Sequence, residues 1–386
     1  MTAYPAGEAG QRALLPNGLR DVLPPEAAQE SLAIKTLLGC FGGYGYQLVK
    51  PPLVEFEASL LEGASPKMST RIFRVMDPVS QRMMGVRADM TMQVARVATT
   101  RLAKTPRPLR LSYAGDVLRV LGSQLSPERQ FAQVGVELIG SASVAADAEV
   151  AVLAAEALAA VGVGNLSIDL MVPTLVPAVI QSAGLQGETI SRLRAALDRK
   201  DAAEVAAIDS RVGATMAALL EASGPVGRAF ERLSAIDLPP AALVVLEELR
   251  QVVDLIQSAQ PALTITIDPV ENRGFEYHTG ISFSLFARSV RGELGRGGRY
   301  LAGSAREPAT GFTLYMDTVL RALPEAQAGQ SLYLPFGTPR GLAEQLRADG
   351  WMTIAGLEPV ADSAAEARRL NCTHRLAGAH VLALAE

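Results

Sequence analysis

Alternation of apolar and polar side chains with a period of two marks most of the extended segments. It is clearest in a pair of runs, 109–119 and 131–139, which predict two strands joined by a long loop. In the second run Ala132, Val134, Val136 and Leu138 share one face, and Phe131, Gln133, Gly135 and Glu137 share the other. Gln133 and Glu137 therefore project together from what the pattern predicts as a central strand. Shorter runs predict strands over 166–172, 263–267, 281–285 and 311–314, and a hairpin of 72–76 with 82–86 turning at Asp77-Pro78. Residues 46–56 read as extended, and Pro51-Pro52 confines them to a sheet edge.

Helical spacing appears over 26–38, with a stripe through Leu32, Leu37 and Leu38 that Gly42, Gly43 and Gly45 close. Further helices are predicted over 91–102, over 144–161, and from 314 to 323. The joining loop, Val120 to Gln130, contains Gly122, Ser123, Ser126 and Pro127; hairpin loops of that length are uncommon and often functional. Gly295–Gly298 is a weak signal alone, since its composition also suits a plain turn.

Residues 1–15 carry no pattern and are expected to be disordered. Residues 16–186 and 261–323 predict an α+β domain, an antiparallel sheet with flanking helices. Between them, 187–260 reads as a helical insertion broken at Gly224-Pro225 and Pro239-Pro240. After a linker, 331–386 forms a small α/β unit of strands 332–334 and 352–354, helices 341–348 and 361–370, and a final apolar run at 381–384. A unit of about 55 residues is close to the lower limit for independent stability.

Composition narrows the function. The 386 residues carry 36 Lys+Arg against 40 Asp+Glu, a formal charge of −4. That balance lacks the basic excess of a nucleic-acid binder, so no nucleic-acid partner is expected. Cys40 and Cys372 stand far apart, and His278, His374 and His380 fit no metal-ligand spacing, so neither a metal nor a cofactor is expected. The first 15 residues lack a leader pattern. The most apolar run, 144–163, carries Asp147, Glu149 and Glu156, which suits a buried Ala-rich helix better than a membrane span. A cytoplasmic protein with no membrane partner is the expectation.

Four segments carry the chemistry: Arg87-Ala88-Asp89-Met90-Thr91-Met92-Gln93-Val94-Ala95-Arg96, the hairpin with Arg119, Gln133 and Glu137, Asn272-Arg273-Gly274-Phe275-Glu276-Tyr277-His278-Thr279-Gly280, and Gly295-Arg296-Gly297-Gly298-Arg299-Tyr300. Together they resemble the catalytic core of a class II aminoacyl-tRNA synthetase, and of histidyl-tRNA synthetase in particular, over about residues 15–323. The resemblance implies a ligand set for histidine. Asp89 and Thr91 match an acid and a threonine that hold the α-ammonium, and Gln133 matches a glutamine beside it. Glu137 matches a glutamate facing the imidazole, Tyr277 and His278 fall in the segment that closes over it, and Arg273 matches an arginine near the carboxylate. An acid, a guanidinium and an N–H acceptor are what a zwitterion with an imidazole requires.

The same resemblance shows losses. The family's hairpin runs aromatic, Arg, any residue, Glu; here Leu118-Arg119-Val120-Leu121 keeps the arginine as a phosphate or carboxylate contact and replaces the glutamate with Leu121. The family's Gly-rich strand leads into an acid–arginine pair; here Gly311-Phe312-Thr313-Leu314-Tyr315-Met316-Asp317-Thr318 places Thr318 at that arginine. Leucine accepts no hydrogen bond and threonine neutralises no phosphate, so adenylate formation should be crippled and no catalytic residue is assigned.

A histidine pocket without activating machinery resembles the regulatory subunits of ATP phosphoribosyltransferase, the first enzyme of histidine biosynthesis; Met92 departs from their usual proline. That resemblance implies a non-catalytic chain needed by a short-form catalytic subunit, mediating feedback inhibition by L-histidine, and homodimeric within a hetero-oligomer. The alternative is a divergent histidyl-tRNA synthetase.

Overall fold

The computed structural model describes residues 14–61, 69–122, 127–209, 212–271, 277–325 and 329–384. Its strands, in chain order, are β1 Gln47–Leu48, β2 Val54–Phe56, β3 Phe73–Met76, β4 Met83–Val86, β5 Leu109–Leu118, β6 Gln130–Ile139, β7 Leu166–Met171, β8 Gly224–Pro225, β9 Thr264–Asp268, β10 Ser282–Ala287, β11 Gly295–Ala302, β12 Glu307–Tyr315, β13 Ser331–Leu334, β14 Met352–Ala355, β15 His374–Ala377 and β16 His380–Ala383. The helices are α1 Glu26–Gly43, α2 Glu57–Leu60, α3 Thr91–Thr100, α4 Val144–Ala160, α5 Leu175–Ser182, α6 Glu188–Asp198, α7 Ala202–Ile208, α8 Gly213–Glu221, α9 Val226–Ser234, α10 Pro240–Ala259, α11 Met316–Ala322, α12 Arg340–Ala348 and α13 Ser363–Arg369. None of the described helices is long and apolar enough to cross a membrane.

Nine strands form the main sheet in the order β1-β5-β6-β12-β11-β10-β7-β9-β8. All its pairings are antiparallel except β1 with β5 and β7 with β9. Strand β6 has neighbours on both sides, as its alternation predicts. Ala132, Val134, Val136 and Leu138 enter one core, shared with Leu37 and Phe41 of α1 and the buried face of α4. The opposite face, which carries Gln133 and Glu137, meets a second core built from Met90, Val94, Ala98, Tyr113, Phe131 and Tyr300. Helix α4 is apolar nearly all round because α1 and α10 pack against it as well as the sheet. Its first turn is capped by Ser143, whose hydroxyl accepts from the Ala145 N–H at 3.2 Å.

Residues 187–260, expected as an insertion, contribute α6–α10 and the short β8. Leu193, Val205, Met216, Leu219, Leu249 and Val253 belong to the same hydrophobic core as β6 and α4. One compact unit therefore ends at Pro324, with those helices part of it, and a second comprises Glu325–Glu386. The second unit is a four-stranded sheet in the order β14-β13-β15-β16, with β13 parallel to both neighbours and β16 antiparallel. Leu332, Leu334 and Leu376 pack with Ala343 and Leu346 of α12, and Tyr333 packs with Ala367 of α13.

Several elements lie outside what the pattern marked. Gly295–Gly298, whose composition left a plain turn open, lies inside strand β11. A Cβ on Gly297 would collide with the Gly311 carbonyl oxygen of β12, so glycine here serves close strand approach. The pattern also left α2, α5 and β15 unmarked. Of the residues expected to be disordered, 1–13 lie outside the described residues.

Candidate functional site

The register across the sheet builds the site. Glu137 of β6 pairs with Gly311 of β12, Gly311 with Gly298 of β11, and Gly298 with Ser282 of β10. Two and four positions away along β6, Gly135 pairs with Tyr113, and Gln133 pairs with Tyr315 and Gly115. Because directly opposed residues share a face, Glu137 lies on a floor that two glycines leave bare. A Cβ on Gly311 would collide with Oε2 of Glu137 and with the Val136 carbonyl oxygen; one on Gly298 would meet Cδ2 of His278 at 2.8 Å, and Gly298 also has a φ of +147° that L side chains rarely adopt.

Asp89 and Thr91 stand where β4 passes through 87–90 into α3. The Thr91 N–H donates to Oδ1 of Asp89 at 2.9 Å. Gln133 is fully buried and bridges two elements: Nε2 donates to Oδ2 of Asp89 at 3.0 Å, and Oε1 accepts from the Met90 N–H at 3.1 Å. The glutamine thereby fixes the carboxylate at the start of α3.

Glu137 is only 1% exposed. Its Oε2 accepts from the Tyr300 hydroxyl at 2.8 Å, while the Tyr113 hydroxyl stands 3.4 Å from Oε1 and 2.6 Å from Oγ1 of Thr313. Burial pushes the Glu137 carboxyl up to about 8, outweighing the Tyr300 hydroxyl that favours the ionised form; the charge of Asp89 raises it further. Burial, then the Glu137 charge, also raise Tyr113 and Tyr300.

At the mouth, the Tyr277 ring is 40% exposed, lies 4.0 Å from the ring of buried His278 and meets Tyr300 edge-on at 6.2 Å. Arg119 stacks over Phe131 at 4.5 Å and near Tyr315 at 5.6 Å. Arg273 lies outside the described residues.

Arg299 supports the site from behind. It is paired with Asp147 at 2.7 Å and donates to the carbonyls of Ser141 and Ser143 at the start of α4. Its own backbone accepts from the Thr279 N–H and donates to Ile281, both at 2.9 Å. The segment after Tyr277 and His278 is thus tied to β11 next to Tyr300.

The positions that the resemblance assigns to the nucleotide are different. Leu121 is 79% exposed on the hairpin loop. Thr318 is 3% exposed, and Oγ1 accepts from Nη2 of Arg321 at 3.1 Å. Arg321 also donates through Nε to the Asp317 carbonyl at 3.1 Å, so this guanidinium is folded onto its own helix, α11. Among the described residues no three His, Cys, Asp or Glu side chains are grouped to hold a metal ion.

The sequence pattern had assigned no role to Tyr113 or Tyr315, nor to Tyr300 and Gly298 beyond their place in the Gly295–Tyr300 segment. Register was the missing signal: once β5, β11 and β12 are aligned on β6, all four fall on the Glu137 face.

The sheet and its bordering segments define a class II aminoacyl-tRNA synthetase-like core, and the family model described as Histidyl-tRNA synthetase matches residues 18–319. A regulatory subunit/histidyl-tRNA synthetase from Bacillus halodurans shares this fold at a TM-score of 0.79 and 23% identity, covering 92% of this chain and 96% of that one. In the structure titled ATP phosphoribosyl transferase (HisG:HisZ) complex, from Thermotoga maritima, a chain aligns at a TM-score of 0.59 and 18% identity, over 74% of this chain and 97% of that one. In sequence, the ATP phosphoribosyltransferase regulatory subunit of Paramagnetospirillum magneticum is 58% identical over 369 residues, 96% of this chain and 97% of the relative. The chain belongs to the family of ATP phosphoribosyltransferase regulatory subunits.

Proposed function

We propose that this chain is the non-catalytic partner of a short ATP phosphoribosyltransferase, required for that subunit's activity, and that it carries the L-histidine site through which the first step of histidine biosynthesis is feedback-inhibited. The observation that carries the reading is the asymmetry of the cleft. Asp89, Gln133 and Glu137 are buried or half-buried and mutually oriented, while Leu121 and Thr318 replace the groups that would bind ATP. In this reading Asp89 and Thr91 receive the ligand ammonium, Glu137 with Tyr300 receives the imidazole, and Tyr277 closes over it. Arg119, together with Arg273, meets the carboxylate.

The family resemblance supports a homodimer formed around residues 45–55, with Leu48 and Leu53 exposed there. The Thermotoga maritima complex supports a catalytic-chain partner. The deciding experiment is reconstitution with a short catalytic subunit. Phosphoribosyl transfer should rise on mixing and fall on adding histidine, and Glu137→Ala should retain the first response and lose the second. Histidine-dependent pyrophosphate exchange by the isolated chain would instead establish a synthetase.

A further inference from the structure

Glu137 presents a problem that a simple imidazole acceptor does not raise. Its carboxyl is buried between β5, β11, β12 and the start of α3. The principal groups facing it are Tyr300 from β11, Tyr113 from β5, Thr91 and Asp89 from the head of α3, and Tyr277 from the segment before β10. His278 sits one strand over, against Gly298. This surround is chiefly hydroxyls and a second carboxylate. The hydroxyls favour the ionised form, but the near-complete burial of the carboxyl and the charge of Asp89 outweigh them, and among the described residues no cation pairs with it. The two oxygens are also unequal. Oε2 accepts a 2.8 Å hydrogen bond from Tyr300 and lies over bare Gly311, whereas the Tyr113 hydroxyl stands 3.4 Å from Oε1 and has closer company in Thr313; the Thr91 hydroxyl also faces the carboxyl.

We propose that Glu137 stands in the empty site as a neutral acid protonated on Oε1, and that this proton selects the ligand: an entering imidazole takes it, becoming the cation that the carboxylate then pairs with. The O–H bond of Glu137 breaks and an N–H bond forms on the ligand ring. No proton enters or leaves solvent at neutral pH, because the free imidazole, with an ordinary value of about 6.5, arrives mostly neutral. The selected class is a weak nitrogen base of about that strength attached to an α-amino acid. A neutral isostere such as a phenyl or thiazolyl alanine leaves the acid in place and gains no ion pair. The buried carboxyl at about 8 gives the window in which this exchange runs.

The proposal rests on the histidine-site reading, and two measurements separate their failures. First, infrared difference spectra of the ligand-free chain against Glu137→Gln at pH 7 should show a protonated-carboxyl C=O band that fades as pH rises through about 8. A carboxylate band alone at pH 7 overturns the neutral acid whether or not histidine binds. Second, calorimetry of histidine binding in buffers of different ionisation enthalpy counts protons. The wild-type chain should take up close to none at pH 7 and roughly three quarters of a proton more than Glu137→Gln at pH 8.5, as expected for a group half-titrated near 8. Uptake of most of a proton at pH 7 shows that Glu137 was already ionised, and release of a full proton shows that the ligand binds neutral to a carboxylate; either result sinks the proposal. No heat with histidine, together with the C=O band, removes the site reading and the selection by imidazole while leaving the protonation state established.

Discussion

The half of the site that the family resemblance assigns to the amino acid and the half it assigns to the nucleotide keep different amounts of structure. On the amino-acid half each polar group has a partner that aims it: Gln133 bridges Asp89 and the Met90 N–H, Tyr300 holds Glu137, and Arg299 with Asp147 fixes the strand behind Tyr300. On the nucleotide half Leu121 points to solvent, and Arg321 is turned onto its own helix by Thr318. A buried polar network persists only if each member is satisfied, so the first half is over-determined and the second is free to vary.

The sharpest way to break this contrast is Gly311→Ala. The added methyl collides with both the Glu137 carboxyl and the backbone of β6, in the middle of the sheet. It should cost about 3 kcal/mol, the upper end of overpacking, and abolish histidine binding. Denaturant midpoints within experimental error of wild type would show that the floor is not as tight as described.

Restoring an arginine on the other half tests the same contrast from its buried edge. Thr318→Arg forces a second guanidinium beside Arg321 in a nearly closed position, with an expected loss of about 2 kcal/mol. Unchanged thermal unfolding would mean that the position is not closed as described.

The pH dependence of the ligand-free chain comes next. The Glu137 carboxyl rises from about 4.5 unfolded to about 8 folded, so the folded state holds this proton more tightly. Its contribution to stability is fully present below about 4.5 and declines as pH rises to about 8, by up to about 1.4 kcal/mol per unit. Denaturation of Glu137→Gln in parallel should lack that component; identical slopes for the two proteins would remove Glu137 as the source. The smallest effect is expected at Leu121→Glu. An exposed loop position should change stability by no more than about 0.5 kcal/mol, and this substitution alone should not bring ATP protection in limited proteolysis.

Much of this was legible in the chain and some was not, for identifiable reasons. The alternation of 131–139 already placed Gln133 and Glu137 on one face, because strand geometry ties facing to parity alone. The helix at 26 was predicted to end at its glycines, yet α1 includes Gly42 and Gly43, and the turn waits for Gly45 at a φ of +81°. Strand β11 was hidden because glycine-rich segments have weak strand propensity; what makes it a strand is the close approach of β12, a long-range fact. The helices between 187 and 260 read as a helical insertion broken at Gly224-Pro225 and Pro239-Pro240; that their apolar faces share the core of α4 is a long-range fact that the local pattern does not carry.

By itself the sequence determined residue chemistry and local period. It placed an acid and a threonine before a helix and a glutamine and a glutamate four apart on one strand; these are properties of spacing, and spacing survives any packing. Resemblance to the synthetases marks Leu121 and Thr318 as departures from that family's glutamate and arginine. Only the tertiary structure decided that Tyr300 and Tyr113 flank Glu137, that Gly311 and Gly298 leave the floor open, and that Arg321 folds away at Thr318. Each of these depends on which strands are neighbours and in what register. A register shift of one residue moves every side chain to the other face, and burial, which sets the charge state of Glu137, exists only after the sheet has closed.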